Sequence, residues 1–238
     1  MAQPAIDVTT PVSTNSKPSA RDIELYAHVV DLISDWLDLR RWAIWTGFAT
    51  ASRGRWPGDF DVRTYEVQHK LQTTLWPGSL PELELSATAL GYIVAGAYRL
   101  FTEHCRSRGD GLEAHPFYHE GIGNPDLYTR LLNEYYAWER ACDLLVYEAT
   151  AVVNWFADVV RRDLNPDFFR YQGRFTVRDT TFPSLRGGVG LCLYDDETRP
   201  KDLDALEQRV AEIVAPYRAL VKEHEASVIE RRRSTDPE

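Results

Sequence analysis

Arg99 and His104 close the stretch Arg99-Leu-Phe-Thr-Glu-His104, and their two side chains suit phosphodiester chemistry. A histidine titrating near neutrality can take the proton of a 2′-hydroxyl, while an arginine steadies the charge that builds on the phosphate. Glu66-Val-Gln-His69 sets a carboxylate and an imidazole on one side of a helix, where both can reach the same metal. His104, Cys105, His115, His119 and Glu120 form the densest group of metal-ligating residue types. A further pattern concerns binding rather than reaction. From Leu39 to Gly58 there is no acid, while Arg40, Arg41, Arg53 and Arg55 are interleaved with Trp42, Trp45, Phe48 and Trp56. Guanidinium and aromatic planes together hold nucleotides or single-stranded nucleic acid by charge and stacking, and they dominate protein–protein hot spots.

Each pattern has a plainer reading. The Arg99/His104 spacing resembles the Arg-x(4–6)-His signature of HEPN-type helical ribonucleases, which use such a pair across a dimer interface and without a metal. The same spacing recurs at Arg21/His28, Arg63/His69, Arg108/His115 and Arg218/His224, so it carries little weight in a chain this rich in arginine. Leu100 also stands where that family often has a polar residue. In the plainer reading His104 ends an apolar seam and Arg99 is solvated. A di-iron site needs a second Glu-x-x-His, which the chain lacks, and Glu134, Glu139, Asp143 and Glu148 read as the solvated face of a long helix. The histidines and cysteine around residues 104–120 lack the compact ligand spacing of zinc sites. No metal and no cofactor is expected. For the Trp/Arg stretch the favoured reading has tryptophans in the core and arginines around its fringe, since tryptophan is mostly buried.

The elements that must position these residues are mainly helical. Ser19, with Asp22 three residues on, predicts a helix start by an acidic capping box. Apolar residues at Ile23, Tyr26, Val30, Ile33 and Leu37, with a second stripe beside them, predict a central helix continuing through Trp42 and Trp45 to Gly54. A shorter helix is predicted over 61–75. Ser79, Pro81 and Glu82 predict a capped start to the next, whose seam runs Leu83, Ala87, Leu90, Val94, Ala97, Phe101, His104. Residues 109–124 read as a loop. From Asn124-Pro125 the seam Leu131, Tyr135, Trp138, Cys142, Leu145, Ala149, Val152, Phe156, Val159 predicts a helix of roughly 38 residues. Residues 166–200 break the helical period, with β-prone runs at 174–177 and 189–194. A last helix from about 201 to 232 follows, with Pro216 inside it and a kink expected near Glu212.

These elements predict an antiparallel helical bundle with a long central helix and a short β-hairpin or irregular excursion before the last helix. The expected organisation is a disordered tail over 1–18, a bundle over 19–165, the excursion over 166–200 and a charged C-terminal helix over 201–238.

Composition bounds the partners. A formal charge of −9 argues against a general nucleic-acid coat, leaving nucleic acid as a disfavoured partner. No apolar run reaches the roughly 20 residues that span a bilayer, and the first twenty residues lack the pattern of a secretory leader. Three cysteines are too few for a disulfide framework, which points to the cytoplasm, and 23 arginines against four lysines suggest a bacterial source. The leading expectation is a non-catalytic protein working by association, as a homodimer or with a protein partner. Its contact surfaces would be the Trp/Arg stretch (Arg40, Arg41, Trp42, Trp45, Arg53, Arg55, Trp56) and the seam of the last helix (Leu206, Ile213, Leu220). The alternatives are the ribonuclease, with Arg99 and His104, and a small-ligand sensor with a Trp- or Tyr-lined pocket.

Overall fold

The computed structural model describes residues 17–178, 189–190 and 192–235, with side chains for 17–178 and 192–227. Most of the expected disordered tail therefore lies outside the described residues. The chain is mainly helical. Helix α1 (Ala20–Trp36) starts as predicted: Ser19 Oγ accepts from the Asp22 amide (3.2 Å) and Asp22 Oδ2 accepts from the Ser19 amide (2.9 Å). It does not continue to Gly54. Asp38 takes a left-handed backbone conformation (φ 50°), which aspartate tolerates better than most residues. After a short 3-10 turn at Leu39–Arg41 the chain restarts as α2 (Trp42–Ala49). That break turns Trp42 so that its indole N–H donates to Thr150 Oγ1, 3.1 Å away.

Helix α3 (Phe60–Thr73) packs on α4 (Pro81–Thr102). The two helices pack tightly at Gly91, where a Cβ would lie 2.5 Å from Leu71 Cδ1. Pro81 opens α4 as expected, but the predicted capping box does not form. Ser79 Oγ instead faces the Tyr26 hydroxyl at 3.3 Å. The Glu82 carboxylate accepts from Trp155 Nε1 (3.0 Å) and pairs with Arg162 (2.8 Å) and Arg199 (3.1 Å). Charge-assisted bonds to three distant donors outcompete a local bond to one backbone amide.

Helix α5 (Pro125–Asp163) begins at Asn124, whose side chain accepts from the Leu127 amide. Its 39 residues span about 58 Å. All nine predicted seam residues are buried, and Trp138 Nε1 donates to the Leu100 carbonyl of α4 at 2.9 Å. From Ala149 to Ala157 every side chain is buried, so the helix is enclosed on all sides there. Within that stretch Asn154 exchanges hydrogen bonds with the Phe175 backbone (2.8 and 2.9 Å) and donates to the Cys192 carbonyl (3.0 Å). Helix α6 (Leu203–Thr235), which contains the exposed Pro216, lies against α5, with Leu206 and Tyr217 fully in the shared core.

The main departure from expectation is a three-stranded antiparallel sheet of order β1-β3-β2, formed by β1 (Arg55–Pro57), β2 (Cys105–Arg108) and β3 (Gly111–Ala114). Within the predicted loop over 109–124, Gly111–Ala114 is thus the second arm of a hairpin, turned at Gly109 (φ 62°) and Asp110, followed by a 3-10 turn at Phe117–Gly121. The excursion before α6 contains the antiparallel pair β4 (Val177–Arg178) and β5 (Val189–Gly190). Among the described residues no helix is long and apolar enough to cross a membrane.

Candidate functional site

The Trp/Arg stretch separates into two populations. Trp42, Trp45 and Trp56 are buried, while Arg40, Arg41, Arg53 and Arg55 are exposed. Trp45 and Trp56 lie 5.3 Å apart between ring centroids and share contacts with Phe60. Trp56 extends the cluster to Tyr98 and Phe101 of α4. Of the aromatic and large apolar residues in this stretch, Ile44 and Phe48 on the outer face of α2 are half exposed. They are one helical turn apart and stand over a concavity of about 640 Å³ between α2, the start of α3 and the sheet. Its lining includes Arg41, Ile44, Trp45, Phe48, Arg55 and Arg108. The buried indole N–H groups of Trp45 and Trp56 have no hydrogen-bond partner among the described residues.

At the sheet edge of this concavity three guanidiniums converge on one carboxylate. Strand register does this: Glu113 on the central strand stands directly opposite Arg55 on one side and Arg106 on the other. Arg108, two residues further along β2, reaches the same group diagonally. Arg55 Nη2 lies 3.1 Å from Glu113 Oε1, Arg106 Nη2 lies 3.3 Å from Oε2, and Arg108 Nη1 bonds Oε1. The Glu113 side chain is 1% exposed, whereas the three arginines are each about half exposed. Burial works to raise the Glu113 pKa, but hydrogen bonds from Arg108, Arg106 and Arg55 outweigh it and hold the carboxyl below its ordinary range. Asp38 and Asp59, which also line the concavity, are each paired with their own arginine: Arg41 and Arg63 at 2.6 Å.

Arg99 and His104 are placed differently. Arg99 is exposed on α4, and His104 lies beyond the helix end. The imidazole rests against Phe117 (4.1 Å between centroids) and Trp138, and its Nε2 lies 2.8 Å from the Tyr217 hydroxyl of α6. Burial pushes its pKa down, opposed by Glu103 and reinforced by Arg218. No hydrogen bond or ring contact among the described residues joins it to Arg99. Glu66 and His69 lie on α3, where His69 stacks on the exposed Tyr65. Among the described residues no group of three or more His, Cys, Asp or Glu side chains is arranged to hold a metal ion.

The acids of α5 are not its solvated face. Glu134 is buried with His224 Nδ1 of α6 at 2.8 Å, and Glu148 accepts from Tyr194 and from Arg209 of α6 (2.9 Å). Glu139 and Asp143, one turn apart and partly buried, form no ion pair among the described residues. Burial, and then the Glu139 charge, push Asp143 up to about 7 against the pull of Arg140. Burial raises Glu139 as well, with the Tyr135 hydroxyl working the other way.

The seam of α6 faces the chain's own core. Leu206 is buried, Ile213 packs against the core, and Leu220 is partly buried beside Arg130 and His224. Arg218 Nη1 donates to Glu103 Oε2 at 2.8 Å, and the Tyr217 hydroxyl donates to the same carboxylate at 3.1 Å. Sequence reasoning missed Arg106 and Glu113, and met Arg108 only as one of the recurring Arg/His spacings. Their signal was present as Arg-Ser-Arg-Gly-Asp-Gly-Leu-Glu, two short alternating runs around a Gly-Asp turn. Comparison with protein-family models, with curated proteins and with solved structures yields no match.

Proposed function

We propose that this protein acts by non-catalytic ligand binding at the concavity between α2 and the three-stranded sheet. The observation that carries the reading is the composition of the wall. Half-exposed Phe48 and Ile44 border a space of about 640 Å³ whose lining also includes two tryptophans and several arginines. That size falls among pockets for small organic molecules, roughly 300–1,000 Å³, and an apolar wall with a few placed polar groups is their usual make-up. Trp42 belongs to the core in this reading, while Arg41, Trp45, Arg55 and Trp56 remain site residues. A cytoplasmic, bacterial setting is part of the same proposal.

The test uses the indole N–H signals in nitrogen-correlated NMR spectra. Small apolar and aromatic molecules that bind are expected to move the Trp45 and Trp56 signals, and Phe48→Glu, at an exposed position, is expected to abolish binding. Binders that leave both signals in place, with affinity unchanged in Phe48→Glu, would rule the site out.

Self-association is the second reading. Val62 and Tyr65 on α3 are exposed as well as Ile44 and Phe48 of α2. A second copy covering them would make a homodimer through this side of the molecule rather than through α6. Light scattering across a concentration series tests it: a mass that stays monomeric, or a dimer unaffected by Phe48→Glu, rejects that interface. The ribonuclease expectation gains no support from an imidazole engaged by Tyr217, Phe117 and Trp138.

A further inference from the structure

We propose that Arg55, Arg106 and Arg108, organised by Glu113, form an anion-reading subsite at the edge of the concavity, and that the ligand is a small monocarboxylate with a flat apolar body. The inference rests on the concavity being the binding site and adds the chemical class of its occupant.

The argument begins with the sheet. Two of the three arginines are fixed opposite Glu113 by strand register and the third diagonally, so their charges are held together instead of dispersing into solvent. Three guanidinium charges face one carboxylate, leaving a local surplus of two. A guanidinium offers five N–H donors in a planar fork, and Glu113, with two oxygens, engages only some of the fifteen. Each arginine keeps about half its surface open to solvent, so the remaining donors can receive a second oxyanion. Asp38 and Asp59 are neutralised by Arg41 and Arg63. Asp110, exposed on the hairpin turn and also lining the concavity, offsets one charge. Counting Arg106, which joins this group through Glu113 and is not itself in the lining, one positive charge remains, which matches a monoanion better than a dianion.

The second, independent observation lies in the same lining. Trp45 and Trp56 are 6% and 2% exposed, and their indole N–H groups are buried without partners. Both rings line the concavity and give it an aromatic wall. Phe48 and Ile44 supply an apolar face for the ligand's body, and Arg55 and Arg108 line the same space as that face. A planar hydrocarbon against α2 with its carboxylate at the sheet edge uses both ends of the site.

Calorimetry and the indole N–H signals together test this with 2-naphthoate, neutral 2-naphthamide and dianionic 2-naphthyl phosphate. The naphthoate is expected to bind at least about tenfold more tightly than the amide and to weaken as salt is added, with the amide indifferent to salt. Arg55→Gln and Arg108→Gln are expected to erase the difference, and Arg108→Lys to retain part of it. Should these variants fail to fold, the salt comparison on the intact protein still decides. Equal, salt-independent binding of naphthoate and naphthamide overturns the anion subsite and leaves the concavity as a ligand site. Tighter binding of the phosphate overturns the monocarboxylate assignment. If no probe moves the Trp45 or Trp56 signals, the subsite and the concavity both fail.

Discussion

Glu113 and Asp143 are both acids drawn away from water, and their surroundings have opposite character. On β3, the residues opposite Glu113 in the sheet are cations, and the carboxyl is stabilised in its charged form despite being covered. On α5, the residue one turn before Asp143 is another acid, Glu139, and the charged form of Asp143 is disfavoured. Burial acts in the same direction on both groups. What differs is the geometry of neighbours: cross-strand pairing sets the Arg55 and Arg106 guanidiniums beside Glu113, whereas helical spacing stacks like charges on a face packed into the core. One region is held together by its ionised acid and the other is loosened by its own.

The sharpest way to break this comparison is to remove Glu113. Glu113→Ala leaves three guanidiniums facing one another, and a loss of about 2 kcal/mol in urea unfolding at neutral pH is expected, reduced from the cost of a fully buried pair because the arginines are half solvated. The Glu113 carboxyl is depressed in the folded state. Its contribution is therefore present above the unfolded value of about 4.5 and disappears as pH falls through the lower folded value, so variant and parent converge in acid. A loss that persists unchanged at about pH 2 would show packing, not charge, at work.

Asp143→Asn is expected to stabilise the protein, by about 1–2 kcal/mol near pH 8. Here the folded value is raised, so the unfolded chain releases its proton first. Stability falls as pH climbs from about 3.8 to about 7, and the gain in the variant is expected to vanish below that window. Glu139→Gln is expected to stabilise less, by about 0.5 kcal/mol, and to lower the apparent pKa of Asp143 in carboxyl NMR titrations. A titration of Asp143 that is indifferent to Glu139 would sever the two. The smallest effect is expected from Arg106→Gln, within about 0.5 kcal/mol, because two guanidiniums still hold Glu113.

Long helices were legible because they leave long records. The α5 seam repeats over 29 residues and every position in it is buried, and Ser19 and Asn124 announce their helices through side chains that bond within three residues. The sheet was not legible in the same way. Its strands have three or four residues, too few to display a period, and Arg55 meets Glu113 across 58 positions of sequence. The break at Asp38 depends on one backbone angle that no apolar pattern records. The core tryptophans followed from residue type alone, but the concavity beside them depends on how α2 meets a sheet absent from the sequence reading. The acids of α5 were misjudged because charge suggests solvent, while partners such as His224 and Arg209 sit on a helix distant in sequence.

The enclosed stretch of α5 from Ala149 to Ala157 has a kinetic consequence. Its amides are covered by neighbours on every side, and elements from both halves of the chain provide the cover: Trp42, the Phe175 backbone and Glu82 all bond to it. Fraying of any one neighbour leaves the others in place, so these amides can meet solvent deuterium only when the whole assembly opens at once. Their exchange rates therefore read out the free energy of global unfolding, while amides of α6 and of the hairpin at 105–114 exchange through smaller, local openings.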